Sequence, residues 1–456
     1  MTTHPSATDF ARQVARGDVS ARELATAALA QIERDNPHIN AYTAVTAERA
    51  LAEADHIDAL RRQGEVLPPL AGVPYAVKNL FDVAGITTLA GARLYAANAP
   101  ASQDATLVAR MKSAGAVLTG ALNMDAYAYG FTTENTHYGV TRNPLDPQRV
   151  AGGSSGGCGA AIAAGMVPCS LGSDTNGSIR VPSSFCGIYG LKPSFGRLPR
   201  SGSLPFVPNL DHLGPFARSA EDLALIYDAL QGPDARDPAC AQRACEATLP
   251  DLTRGIEGLR VAVLGGHFTR WAGTEARAAV ATAARVLEAK DEVELVDTAA
   301  ARAAAFIITA AEAGNAYLPQ LRERPEDFEP LTRERLSAGA LLPAAWYVQA
   351  QRLRARYRAR AAELFRHHDI LLAAATPCPA TRIGQETMDI NGTEVPVRPN
   401  IGLLTQPLSF IGLPIAVVPL ATACGLPIGV QLIAPAWRED LCLRAAWALE
   451  QGLVRA

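Results

Sequence analysis

Two serines and a lysine are the residues from which this chain can build a nucleophilic site. Ser154 lies in Gly-Gly-Ser-Ser-Gly-Gly (residues 152–157) and Ser178 in Ser-Asp-Thr-Asn-Gly-Ser-Ile-Arg (residues 173–180). Each sits in a glycine-containing turn leading towards a helix-compatible segment, where backbone N–H groups lack partners and point outward. Such donors suit a bound anion or an oxygen that gains negative charge in acyl transfer. The phosphate version of this site lacks its lysine. The pattern G-x-x-x-x-G-K-[ST] is absent, and the nearest lysine, Lys192, stands in Gly-Leu-Lys-Pro.

Lys78 is one of only four lysines among 42 basic residues, the others being Lys112, Lys192 and Lys290. A chain that uses arginine for nearly all of its positive charge keeps a lysine where its chemistry is needed. Residues 70–83 are apolar, β-branched and bounded by Gly and Pro, which predicts a buried strand. Lys78 stands inside it, between Val77 and the apolar pair Leu80 and Phe81. Burial disfavours the charged amine, so a neutral Lys78 would accept a proton. The alternative is a lysine at a strand end whose head group reaches water. None of the eight histidines adjoins either serine motif.

The motifs G-G-S-S-G-G, D-T-N-G-S-I-R and F-C-G-I-Y-G-L-K-P, with P-Y-A-V-K-N far upstream and G-L-P-I-G-V-Q-L-I near the C-terminus, resemble the amidase signature family of Ser-Ser-Lys hydrolases. The resemblance covers nearly the whole chain. It implies that Ser178 is the nucleophile, that Ser154 follows a cis peptide bond and bridges, and that Lys78 is the base. Ser178 alone is a weak nucleophile near neutral pH and needs such a relay. The backbone N–H groups of Thr175, Asn176, Gly177 and Ser178 would meet the oxyanion. Asn176 stands where the family usually has glycine, so the loop either differs in shape or gains a side-chain donor. Asp174 is expected to orient the loop through backbone N–H groups, and Arg180 is either a structural tie or a carboxylate clamp. Tyr129, Ser155, Asp174, Arg180 and Arg335 form the expected substrate-binding set, Arg335 being otherwise an exposed helix arginine.

The rest of the chain must position these groups. With 456 residues, 48% of them hydrophobic and 19% charged, it has the balance of a large globular protein. Residues 7–64 read as helices, with a capping-box pattern at Ser20 and Glu23. Strand and helix patterns then alternate. The expected architecture is α/β, the amidase signature fold: a large mixed sheet flanked by helices on both faces. Residues 1–66 would form an N-terminal helical cap, and residues 67–456 the catalytic domain, the two making one compact unit. Residues 123–143, rich in aromatics, read as a pocket wall. Residues 201–218 read as a loop leading into a helix begun by Ser219, and residues 232–258 as a surface excursion.

The net charge of −3, without a basic cluster, gives no surface for nucleic acid. The N-terminus has neither a signal-peptide pattern nor a spanning apolar run, which predicts a cytoplasmic protein with no membrane association. The eight cysteines are scattered, without C-x-x-C pairs, and read as buried reduced thiols. Neither a metal nor a cofactor is expected.

Three other enzyme readings and one non-enzymatic reading stand beside this one. Gly152 to Gly156 formally matches the G-x-S-x-G elbow of α/β-hydrolases, but Asn-Pro-Leu-Asp-Pro-Gln-Arg before it is a poor strand, and Asp211 and His212 are adjacent rather than spaced. Within the family, Y-G-F-T-T-E-N-T-H-Y-G and L-L-T-Q-P-L-S-F-I-G-L-P look most like the bacterial 1-carboxybiuret hydrolases of cyanuric acid breakdown. That likeness implies loss of ammonia from a terminal amide of a small anionic urea derivative. It also implies a homodimer of the large chain together with a small partner subunit. The competitor is the glutamine-hydrolysing A subunit of tRNA-dependent amidotransferases, or a broad small-amide amidase. The amidotransferase chain usually carries an acid three residues before the threonine of its C-terminal motif, where this chain has Gly402 before Thr405. The non-enzymatic reading is an inactive scaffold subunit.

Overall fold

A computed structural model of the chain describes residues 4–455. Residues 1–3 of the expected cap and Ala456 lie outside the described residues. Helices α1 (Ala7–Arg16) and α2 (Ala21–Ile39) both start with capping boxes, Ser6 with Asp9 and Ser20 with Glu23. Each box satisfies N–H groups that have no partner within the helix. Helix α3 (Ala47–Arg62) follows. The N-terminal segment is not purely helical, because Tyr42–Val45 forms strand β1 at the edge of the main sheet.

That sheet has eleven strands. After β1 they are β2 (Pro74–Lys78), β3 (Val117–Leu122), β4 (Cys169–Asp174), β5 (Tyr189–Lys192) and β6 (His212–Ala217). Then come β7 (Val261–Leu264), β8 (Asp291–Val293), β9 (Ile370–Ala374), β10 (Ile415–Leu420) and β11 (Ile428–Ile433). Their spatial order is β1-β3-β2-β4-β6-β5-β10-β11-β9-β7-β8. Strand β2 runs parallel to both β3 and β4, whereas β6 runs antiparallel to β4. The sheet is therefore mixed, and nearly every residue of its central strands is buried on both faces.

The predicted strand over residues 70–83 contracts to β2, and Lys78 is its last residue. Asp174 is the last residue of β4, so Lys78 and Asp174 sit at the carboxyl ends of neighbouring parallel strands. Helices start from these ends: α4 (Gly156–Ala163) follows the first serine motif and α5 (Arg180–Cys186) the second. Crevices outside the carboxyl ends of parallel strands are where α/β proteins bind ligands.

Three further segments differ from the sequence reading. Strand β6 crosses the middle of the sheet where a loop was expected, although Ser219 does cap the helix after it. Asp146–Val150 is a strand, but it lies outside the main sheet, pairing with Arg142–Asn143 in a two-stranded sheet and bridging Arg382 through Arg149. Thr387–Ile390 and Thr393–Pro396 form a further hairpin that was not foreseen.

Helix α1 is held to the body by Asp222, whose carboxylate accepts from Ala7 N at 3.0 Å, Thr8 N at 2.8 Å and Thr8 Oγ1 at 2.8 Å. Asp222→Ala leaves three buried donors at a helix start without this acceptor. This should lower unfolding free energy by about 1–3 kcal/mol, measured as a shift of the denaturant midpoint. An unchanged midpoint would show that α1 is not anchored this way.

Candidate active site

Lys78 is fully buried. Its Nζ lies 2.6 Å from Ser154 Oγ and 2.9 Å from Ser173 Oγ. Burial pushes its amine down to about 8, against smaller opposing contributions from Cys158, Asp125, Asp174 and Asp211. Both partners are hydroxyls that can donate as well as accept, so the pocket accommodates a neutral amine. The Gly153–Ser154 peptide is cis. Gly153 packs against Asp125, where a Cβ would run into the carboxylate. Asp125 also donates its N–H to Ser154 O at 3.1 Å and accepts from Thr133 N at 3.0 Å.

Ser178 stands in the loop between β4 and α5, almost fully buried, with its side chain lining a narrow cleft. Among the described residues its hydroxyl makes no side-chain hydrogen bond with the protein, Ser154 included. The N–H groups of Thr175, Asn176, Gly177 and Ser178 likewise donate to no protein acceptor among the described residues. Four free donors in one turn beside a serine hydroxyl can hold an oxyanion formed on that serine's acyl adduct.

The loop is braced from behind. Arg180 and Asp174 are completely buried and form a two-pronged ion pair, with both Nε–Oδ2 and Nη2–Oδ1 at 2.9 Å. Burial raises the Asp174 carboxyl, but the charge and hydrogen bonds of Arg180 outweigh it and hold Asp174 well below the ordinary carboxylate range. Asp174 Oδ2 also accepts from Ile179 N at 3.2 Å and Arg180 N at 3.4 Å, the expected loop-orienting role. Arg180 further donates to Thr405 O at 3.0 Å, Gln431 Oε1 at 2.8 Å and Ser409 Oγ. Its whole fork is engaged with the protein, so it is a tie and not a clamp for substrate. Neither Arg180 nor Asp174 lines the cleft, which corrects their place in the expected substrate-binding set.

The chain matches the amidase family model over residues 23–443. It belongs to the amidase family. It is 58% identical over 445 residues to the AtzE subunit of the 1-carboxybiuret hydrolase of Pseudomonas sp. (strain ADP), covering 97% of each chain. It is 37% identical over 476 residues to the A subunit of a glutamyl-tRNA(Gln) amidotransferase of Synechococcus sp. (strain WH7803), covering 97% of this chain and 96% of that one. Among solved structures, one of an s-triazine catabolic enzyme in a vestigial protein complex superposes with a TM-score of 0.97 at 57% identity, covering 98% of each chain. A bacterial aryl acylamidase of the amidase signature family superposes at 0.90 with 29% identity, covering 98% of this chain and 96% of that one.

In this amidase the side chain of Asn176, which stands where the resemblance leads one to expect glycine, is engaged outside the turn. Asn176 Nδ2 donates to Thr309 Oγ1 at 2.9 Å, while the backbone carbonyl accepts from Thr405 Oγ1 at 2.7 Å. The asparagine therefore ties the loop to helix α6 (Thr298–Glu323). The space for an acid at position 402 is also gone, because a Cβ on Gly402 would meet the ring of Phe131.

Tyr129 and Arg335 both line the cleft. Arg335, on helix α7 (Pro330–Gly339), lies 3.6 Å above the Tyr129 ring and donates to Tyr129 O at 3.3 Å. It is half-buried rather than a free surface arginine. Ser155 does not reach the cleft, because its Oγ donates to Ser173 O at 3.2 Å inside the core. A second cavity of about 220 Å³, lined in part by Ser173 and Asp211, meets the Ser178 cleft at Ala128, Thr175 and Phe206.

The predicted aromatic wall divides. Tyr129 and Phe131 face the cleft, whereas Tyr127 packs on Tyr317 and Phe328, and His137 Nδ1 accepts from Arg93 N at 3.1 Å. The hydrolase elbow fails on geometry. The strand before Ser154 lies outside the main sheet, and His212 Nδ1 is bonded to the backbone carbonyls of Leu210 and Asp174 at 2.6 Å and 3.0 Å. Asp211 instead accepts from Thr175 Oγ1 at 2.6 Å, fixing the start of the turn over residues 175–178. Sequence reasoning missed Ser173 and Gln406, and weighed Asp211 only as a partner in the hydrolase elbow. All eight cysteines are free, five of them buried, while Cys245 and Cys424 are exposed and Cys378 is intermediate.

Removing Arg180 would strand the Asp174 carboxylate in the core. Arg180→Met should cost about 3–5 kcal/mol of stability, read from equilibrium denaturation. A loss below about 1 kcal/mol would mean that the pair does not carry the loop.

Proposed function

We propose that this amidase cleaves a terminal amide of a small anionic urea derivative of the 1-carboxybiuret type, releasing ammonia through an acyl ester on Ser178. The observation that carries the catalytic part is the contact of 2.6 Å between Ser154 Oγ and the buried Nζ of Lys78. Neutral Lys78 takes the Ser154 proton as Ser154 takes that of Ser178, and Ser178 Oγ bonds to the amide carbon. The negative charge that develops on the amide oxygen meets the N–H groups of residues 175–178. Collapse breaks the C–N bond, and the proton on Lys78 returns through Ser154 to the leaving nitrogen. Ammonia departs, and water attacking the ester by the same relay restores Ser178 and frees the acid.

The substrate part rests on the cleft. The glutamine-hydrolysing chain of an amidotransferase is expected to grip the α-ammonium of glutamine with an acid near position 402, and here Phe131 occupies that space. Arg335 brings one positive charge to the rim, and its unshared donors suit a substrate carboxylate. The relative named for 1-carboxybiuret hydrolysis shares 58% of its residues with this chain, against 37% for the amidotransferase relative. A homodimer of this chain, a small partner subunit, and a cytoplasmic location belong to the same proposal. The superposing s-triazine catabolic enzyme, which stands in a vestigial protein complex, supports the partner subunit. Among the described residues no helix is long and apolar enough to cross a membrane.

Ammonia release should be fastest from 1-carboxybiuret or biuret, slower from aliphatic amides, and slowest from glutamine. It should vanish in Ser178→Ala and fall about 10²–10⁴-fold in Lys78→Ala. Because the neutral amine is the active form, kcat/KM should rise with pH through about 8 and level off above it. Preference for glutamine would favour the amidotransferase reading. No release from any amide, with or without a small partner, would favour an inactive scaffold.

A further inference from the structure

Gln406 lines the Ser178 cleft and is 99% buried, at 1% exposure, yet the relay and the oxyanion turn leave it without a task. Its Oε1 accepts from Arg302 Nε at 2.8 Å. An arginine side chain has donors only, so the oxygen of this carboxamide must be the atom that faces Arg302. The NH₂ group is thereby set on the other side. Among the described residues it donates to no protein acceptor, although Gln406 lies almost wholly inside the protein.

Arg302 is itself fixed. Its Nη2 donates to Pro399 O at 2.8 Å and Asn400 Oδ1 at 2.9 Å, and its guanidinium lies 4.9 Å from the Phe306 ring centre. Arg302, Phe306 and Thr309 follow one another at helical spacing on α6, and the latter two also line the cleft. One helix face thus orients Gln406 through Arg302 and Asn176 through Thr309.

We propose that Gln406 is a specificity-determining residue whose amide N–H, aimed by Arg302 as a positioning residue, donates to a second carbonyl or carboxylate oxygen of the substrate beside the scissile amide. This rests on the small-amide hydrolysis proposed above and narrows its substrate class to acylureas and related molecules with an acceptor near the reacting carbon. A simple aliphatic amide has no such acceptor. It would leave the Gln406 donors unpaired, and sites built to hydrogen-bond a substrate group discriminate strongly against analogues lacking it.

The test compares kcat/KM for biuret with that for butanamide, which lacks the second carbonyl. Gln406→Leu should lower the biuret-to-butanamide ratio about 10- to 100-fold, mainly through KM for biuret. Gln406→Glu, which keeps the shape and the Arg302 contact but loses the donor, should lower it at least as far. Arg302→Met should reproduce the Gln406→Leu effect, and the double variant should be no worse than either. A ratio unchanged in Gln406→Leu, or equal losses on both substrates, would overturn the proposal. The substrate reading is judged separately by the wild-type preference. Should wild type prefer butanamide, Gln406 is decided by biuret binding to Ser178→Ala protein. There, adding Gln406→Leu should raise Kd at least about tenfold, and an unchanged Kd would overturn the role.

Discussion

An amine held out of water against two hydroxyls is the constraint on which the rest of this structure depends. Lys78 is fully buried, hydrogen-bonded to Ser154 and Ser173, and shifted by desolvation to about 8. In water fewer than about one in a thousand such amines would be neutral at pH 7, against about one in ten for a group that titrates near 8. The burial comes from the sheet. Lys78 ends β2 between two parallel neighbours, and Asp125 lies beneath the Gly153–Ser154 turn that caps it. Charge alone would not achieve this, since the carboxylates of Asp125, Asp174 and Asp211 all act to keep the lysine protonated.

The second requirement is a turn with its N–H groups facing the cleft. Such a turn leaves several backbone donors unpaired, so something else must hold its shape. The Asp174–Arg180 pair does so from below, Asp211 from the side through Thr175, and Thr405 from above through the Asn176 carbonyl. A buried ion pair of this kind contributes little net stability over an apolar substitute, but removing one partner is costly. Its value here is geometric. Arg180 is used up by the scaffold, which leaves Arg335 as the cationic side chain at the cleft.

Much of this was legible in the sequence because the chemistry is local. The glycine–serine motifs, the scarcity of lysine and the apolar setting of Lys78 point to a site before any coordinates, and the capping pattern at Ser20 marks a real helix start. What stayed hidden depends on distant contacts. Strand β6 was unreadable because Gly214 and Pro215 interrupt it, and proline is rare in central strands. The structure tolerates Pro215 because the β5–β6 ladder covers only Phe216 and Ala217, so one flank at Pro215 is unpaired. Ser173 was masked by the apolar strand around it. Gln406 acquires its orientation from Arg302, which lies 104 residues away in sequence. Arg180 could be read as tie or clamp until its partners Thr405, Ser409 and Gln431 were known.

The protonation state of Lys78 can be observed directly. With four lysines in the chain, a protein labelled with ¹³C at lysine Cε gives a spectrum simple enough to follow each residue through a pH titration, and Lys78→Arg identifies the signal of interest. The account predicts that this signal titrates near 8. A midpoint at the ordinary lysine value of about 10.4 would contradict it, because the neutral amine that the relay needs would then be almost absent near pH 8.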